Sequence, residues 1–252
     1  MGRAESYFKA GQYDEAKIEY LNVLRVDRGN ANAYARSGAI WLAEGAPLRA
    51  GGFLRKAVEL SPNDFESRLN LARVYLAMGR PSDAVKDALA VLEQAPDNGL
   101  ALLVLADAVQ KKDDLAAMEA RLEKFPNKNN VSYHLASAGI AAKKGDLSAA
   151  DAALQRALAA EPKSPTAHSA LATLALARND LKQAGTEFQL AADLSPIRSN
   201  EWIRLAQFKM QTQAMEEAKT ILKNLTDKAP DFSRPGICRQ ESRTMKRSRK
   251  RL

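Results

Sequence analysis

The sequence predicts an all-α chain: pairs of short antiparallel helices stacked in one direction. Three observations carry that expectation. Alanine supplies 46 of the 252 residues and aromatics only 6%, a composition that favours helix over sheet. The interval from Pro62 to Pro96 recurs from Pro162 to Pro196 and from Pro196 to Pro230, and Gly11, Gly45 and Gly79 advance by the same step. Both series then slip together, since Pro96 to Pro162 and Gly79 to Gly145 fall short of two such steps by the same amount. Two independent punctuators that share a step and a slip mark an internal repeat.

Further columns keep the same phase. Ala16, Ala50, Ala84, Ala150, Ala184 and Ala218 form one, with Met118 as its exception. Ala4, Gly38, Ala72, Ala106, Ala138, Ala172 and Ala206 form a second, and bulky residues such as Tyr20, Leu54, Leu122, Leu154, Phe188 and Leu222 stand opposite. Small columns facing large ones let two helices approach and interdigitate. Each unit therefore reads as helix, Gly-containing turn, helix, Pro-containing turn. Residues 65–78 and 82–94 illustrate it. The first carries the stripe Leu69, Ala72, Tyr75 and Leu76 and stops at Gly79. The second follows Pro81, which suits a first helical position, and ends at Ala95-Pro96. Helices this short are marginal alone and must be held by neighbours. Gly51-Gly52 falls inside such a helix, and close packing against a neighbour is the expected reason.

The period, with strings such as Gly11-Gln12-Tyr13-Asp14-Glu15-Ala16 and Ala57-Val58-Glu59-Leu60-Ser61-Pro62-Asn63, resembles the tetratricopeptide repeat family. That family's pattern of Trp, Leu-Gly, Tyr, Ala, Phe and Pro is met by Leu71-Ala72, Tyr75, Ala84 and Pro96, and again by Trp202, Leu205-Ala206, Ala218, Leu222 and Pro230. The resemblance covers residues 1–232 as about seven units: 1–30 (partial), 31–64, 65–98, 99–130, 131–164, 165–198 and 199–232. It implies a right-handed α-solenoid, a superhelix of these hairpins. The fourth unit departs from the pattern with Met118, an Asp113-Asp114 turn that lacks Gly, and an early Pro126. Its second helix is expected to be short, with a change of pitch or a hinge in mid-array. Lys209 stands where Tyr7, Trp41 and Tyr75 are aromatic, so looser packing is expected there.

Catalysis and cofactors find little support. No P-loop, no G-x-G-x-x-G turn after a strand and no H-E-x-x-H is present, so no cofactor is expected. The single cysteine, Cys238, excludes an internal disulfide and a Cys-rich zinc cage. His134 and His168 are separated by one repeat step and so hold equivalent places in adjacent units. They would form either a two-His metal rung or, as expected here, two members of the packing column shared with Tyr34, Leu102 and Trp202. Every charge-free stretch falls short of the roughly 20 apolar residues that a helix needs to span a bilayer.

What the resemblance implies is non-catalytic: a scaffold that binds a peptide or protein segment along the concave face lined by the first helix of each unit. Carried over column by column, the groove candidates are Arg36, Asn70, Arg73, Asp107, Gln110, Lys143, Thr173, Arg204, Gln207 and Gln211. Ala39, Val104, Ala136, Gly139 and Ala170 lie between them. Arg36, Asn70 and Arg73 would clamp an acidic segment, and the small residues of the fifth and sixth units would admit a backbone or a partner helix. Ala35 and Leu103 fall where a grip on a C-terminal carboxylate would need cations.

The ends suggest more. Residues 233–252 hold eight Lys/Arg against Glu241, a net of +7, whereas residues 1–232 carry 30 basic and 29 acidic groups, a net of +1. This basic tail reads as a disordered extension. The alternative function is a tether to nucleic acid or an anionic membrane through that tail, recognised by steep salt dependence lost on its deletion. Met1 falls part-way through a first helix and no capping helix follows residue 232, which reads as a piece of a longer array with Leu222 and Leu225 poorly covered. Self-association through uncapped ends is then expected. As the sequence stands, without an apolar signal segment, a cytoplasmic location is expected. A periplasmic or envelope-associated one follows if it is a fragment. The Ala-rich type resembles bacterial scaffold proteins.

Overall fold

The computed structural model describes residues 1–228, apart from the side chains of residues 112 and 113. The basic tail, Cys238 and Pro230 lie outside the described residues. Among the described residues the chain is wholly helical. α1 (Gly2–Lys9) pairs with α2 (Tyr13–Val26), α3 (Ala31–Ala43) with α4 (Pro47–Leu60), and α5 (Phe65–Ala77) with α6 (Pro81–Gln94). α7 (Gly99–Ala108) precedes α8 (Lys112–Lys124). α9 (Val131–Lys143) then pairs with α10 (Leu147–Ala160), α11 (Pro165–Ala177) with α12 (Leu181–Asp193), and α13 (Asn200–Gln211) with α14 (Met215–Lys228). Each pair rests on the next, giving an α-solenoid whose core is a series of apolar clusters along its length.

The sequence columns explain the hairpins. Ala16, Ala50, Ala84, Ala150, Ala184 and Ala218 are all buried, as are Tyr20, Leu54, Leu154 and Phe188 opposite the small column. Gly38 is the tightest point: a Cβ there would lie 2.5 Å from Leu54. The turns are equally regular. Gly11, Gly45, Gly79, Gly145, Asn179 and Gln213 all have φ between +60° and +83°, the left-handed conformation that closes a helix end. After Gly79, for example, the Arg80 N–H donates to the Tyr75 carbonyl at 2.8 Å. First helices are opened by side-chain caps: Asn30, Asp64 and Asn98 each accept an N–H from three residues on, at 3.0, 3.3 and 2.9 Å. Pro47, Pro81 and Pro165 occupy first-turn positions. Of the helical glycines, Gly51 packs closely, its missing Cβ 3.3 Å from Val74, whereas Gly52 faces open space.

The pair α7/α8 breaks this order. The shortened element is α7, with 10 residues, and not α8, with 13. Asp114 lies in the first turn of α8, and the connection runs through Val109 to Lys111. Val109 is extended, at φ −62° and ψ +117°, so the turn has no left-handed residue to fold α8 back onto α7. α8 consequently stands off from its partner, and α9 packs on α7 in its place, with Ala136 and Ile140 in the same core cluster as Ala101 and Leu105. Gly99 permits this, since a Cβ would meet Asn130 and Ser132 at 2.8 Å.

The array also curls until distant parts meet. Arg198, in the connection between α12 and α13, donates to Asp14 of α2 at 3.1 Å across 184 residues and lies 3.5 Å from Glu44. The Glu44 side chain is only 3% exposed and takes the Lys17 ammonium at 2.8 Å. Burial works against that ammonium, but Asp14 and Glu44 outweigh it and raise the Lys17 pKa. At the far end Leu225 is buried, against expectation, with Ile203 and the half-buried Trp202 and Leu222.

Candidate functional site

First helices touch from hairpin to hairpin, α3 with α5, α5 with α7 and α9 with α11, and the predicted groove residues on them meet different fates. Arg36 is already committed. Its guanidinium pairs with Glu66 at 3.0 Å and lies 3.7 Å from Glu5, one partner on each neighbouring hairpin, and it stacks over the Phe8 ring. It therefore staples three first helices and is not available as a cationic clamp. Asn70 is half-buried and Arg73 exposed on the next first helix, α5. Val104 and Ala136, expected to face inward, are buried core residues, because α9 has closed on α7.

Asp107 is where the array converges. Its own surface still meets solvent, yet the surrounding helices crowd the carboxylate enough that burial raises its pKa, opposed by Lys143, Arg73 and Arg204. These three cations come from α9, α5 and α13, so residues far apart in the chain act on one carboxylate. Lys143 has a second task. Its ammonium donates to the carbonyls of Ala106 (2.7 Å), Asp107 (3.2 Å) and Val109 (2.7 Å), closing the C-terminal end of α7 where a left-handed turn is missing. Burial lowers the Lys143 pKa and Asp107 opposes that.

Further along, Arg204 donates to the Ser169 hydroxyl at 2.6 Å, and Thr173 donates to the Ser169 carbonyl at 2.9 Å. Gln207 and Gln211 are exposed on α13 and at its end. Gly139 leaves open space beside α9, where a Cβ would meet nothing within 4 Å. Gln110 is not with them: it lies beyond the end of α7 and lines a cleft between α6 and α8. Lys209, expected to pack loosely, is half-buried and donates to Glu217 at 2.6 Å.

The histidines are accounted for by packing. His168 on α11 is buried, with Nδ1 2.7 Å from Glu187 and Nε2 3.2 Å from the Pro162 carbonyl. The same pair of contacts appears on α5, where Arg68 meets Asp87 at 3.3 Å and the Pro62 carbonyl at 2.9 Å. His168 thus stands in for an arginine that ties a first helix to its second helix and to the preceding turn. His134 is half-buried edge-on to Tyr133. Among the described residues, no three His, Cys, Asp or Glu side chains gather as a metal site would need, and no helix is long and apolar enough to cross a membrane.

Sequence reasoning missed Glu44, Lys17 and Arg198, and the cleft beside α8. Arg198 sits in a connection that no helical column covers, so its meeting with Asp14 leaves no periodic trace.

Comparison with known proteins agrees with this architecture. Sequence models of the tetratricopeptide repeat match residues 42–86, and 69–129 with 135–196. Among curated relatives, human tetratricopeptide repeat protein 34 is 26% identical over 233 residues, and mouse superkiller complex protein 3 is 27% identical over 229. The matches take in 88% and 89% of this chain but only 39% and 13% of those proteins' lengths. Two solved structures share the fold. A tetratricopeptide repeat protein of Thermus thermophilus superposes with a TM-score of 0.60 at 24% identity, over 71% of this chain and 99% of that one. Another from Parabacteroides merdae gives 0.58 at 14%, over 95% and 94%. With its columns, its left-handed turns and family models matching more than half of its length, the chain belongs to the tetratricopeptide repeat family.

Proposed function

We infer that this chain acts as a protein-protein interaction scaffold, as tetratricopeptide repeats do. We propose that this chain is a non-catalytic member that holds a peptide or protein segment along its concave side, between Asn70 on α5 and Gln207 on α13. The observation that supports this reading most is the convergence on Asp107. A carboxylate kept where burial penalises its charge, with Arg73 and Arg204 acting on it from two directions, lowers the stability of the empty array. Such a cost is expected where a ligand will use the group. Arg73 and Arg204 supply donors for the carbonyls of such a segment and Asp107 accepts from its amides, beside Gly139, where a Cβ would meet nothing within 4 Å.

The test is site-specific photo-crosslinking in the full chain, with the crosslinker placed at Asn70, Thr173 or Gln207 and, as controls, at the outward-facing Lys56 and Glu93. Crosslinks from the inner positions that vanish in Arg73→Glu/Arg204→Glu support the reading. Equal capture from the controls would overturn it. The tail reading makes the opposite forecast: binding lost on deletion of 233–252 and indifferent to those two arginines.

A further inference from the structure

The departure of α8 leaves a space along α6. A cleft of about 540 Å³ opens between α6, the end of α7 and α8, with Val85, Leu89, Leu105 and Met118 among its walls. A second space of about 390 Å³ continues it toward Leu92 and Phe125, and the two share Ala117 and Arg121. Val85, Leu89 and Leu92 are only half-buried, so the side of α6 that another helix would cover is left partly open. The trough follows α6 from Pro81 to Pro96, about 22 Å at the rise of an α-helix.

We propose that this cleft is a second protein-binding site, distinct from the concave groove, and that it takes a short amphipathic helix with acidic flanks. Its rim dictates the charge. Among the described residues, Lys111, Arg121 and Lys124 stand along it against one acid, Asp114, and Arg121 and Lys124 are exposed. The helical conformation follows from the walls. Three helices satisfy their own backbone groups and offer no strand edge, so an extended segment would leave its amides unpaired, whereas a helix brings its own bonds and presents only an apolar stripe. The docked helix lies along α6, in the cleft between α6, the end of α7 and α8. The chain's own residues 233–252 are the wrong partner, because their net charge of +7 repels the same rim.

The probe is a stapled helix of four turns with leucines at i, i+3, i+4 and i+7 and glutamates beside them, compared with a twin carrying lysines. Methyl NMR of the full chain reads where it binds, and fluorescence anisotropy reads how tightly. Expected are shifts at Val85, Leu89, Leu105 and Met118, at least a tenfold preference for the glutamate peptide, and at least a tenfold loss in Arg121→Glu/Lys124→Glu. Arg73→Glu should leave the affinity unchanged. Ala117→Trp, which fills the trough from an exposed position, should block binding while the helical circular dichroism stays intact. The proposal is overturned by equal affinity for the two peptides, by survival of binding in the charge-reversed variant, by shifts confined to the concave side, or by no saturable binding below about 1 mM. Because the cleft variants and the Arg73→Glu variant act on opposite faces, the two binding readings stand or fall separately.

Discussion

The hairpin α5/α6 and its neighbour α7/α8 share the same columns, yet one closes and the other opens. In α5/α6 a left-handed Gly79 reverses the chain and Ala72 faces Ala84 and Ala88, all fully buried. In α7/α8 the equivalent small residue, Ala106, is also buried, and Met118 and Leu122 still find a core. What is lost is the turn: Val109 is extended, α8 stands away, and α9 and the Lys143 ammonium complete α7 instead. Apolar pattern alone thus holds both hairpins in the array, but one backbone conformation at the turn decides whether the second helix docks on the first.

Truncation at matched positions should separate the two hairpin types most clearly. Leu54, fully buried over Gly38, and Leu122, on α8, occupy the same column two steps apart. Leu54→Ala is expected to cost about 2–5 kcal/mol, and Leu122→Ala to fall at or below the lower edge of that range, because the open side of α8 lets the site relax. Urea unfolding of both variants checks this, and equal losses would mean that α8 is as firmly packed as α4. Converting a regular turn comes next. Gly79→Val forces a β-branched residue to φ +70° and should cost about 1–2 kcal/mol, with amide exchange accelerated first in α6. Removing the substitute closure is smaller: Lys143→Met should cost about 1 kcal/mol, through three carbonyls left to water, and exchange should rise at Val109.

The smallest effect concerns pH. Burial raises the Asp107 pKa in the folded chain, so the native state holds that proton more tightly than the unfolded one. Stability from this group is therefore present at low pH and falls as pH climbs from the ordinary carboxylate value through the raised one. Asp107→Asn should flatten the thermal midpoint over that window and raise it slightly at neutral pH. An unchanged pH profile would contradict the placement of the carboxylate.

Much of this architecture can be read from spacing, because packing of a small column against a large one is a local, repeated demand. Ala16 through Ala218 and Gly11 through Gly145 forecast the hairpins and their turns. The weak point was also visible, in Met118, the missing turn glycine and Pro126, but its consequence fell on α7, since extended backbone at Val109 ends that helix early. The groove was less legible. Column arithmetic assigns Arg36 to the groove, but Glu5 and Glu66, from the hairpins on either side, already engage it. Pairing of that kind depends on which rotamers neighbours adopt, and a column cannot record it.

A stacked array ordinarily behaves as a one-dimensional chain of nearest neighbours, with ends that fray independently. The ion pairs from Arg198 to Asp14 and Glu44 make this array circular in its energetics. Loosening α1 and α2 releases the α12–α13 connection, and loosening that connection strips a partner from Glu44. The first hairpin and the α12–α13 connection are therefore expected to lose protection together, whereas α14, beyond the ion pairs, frays by itself.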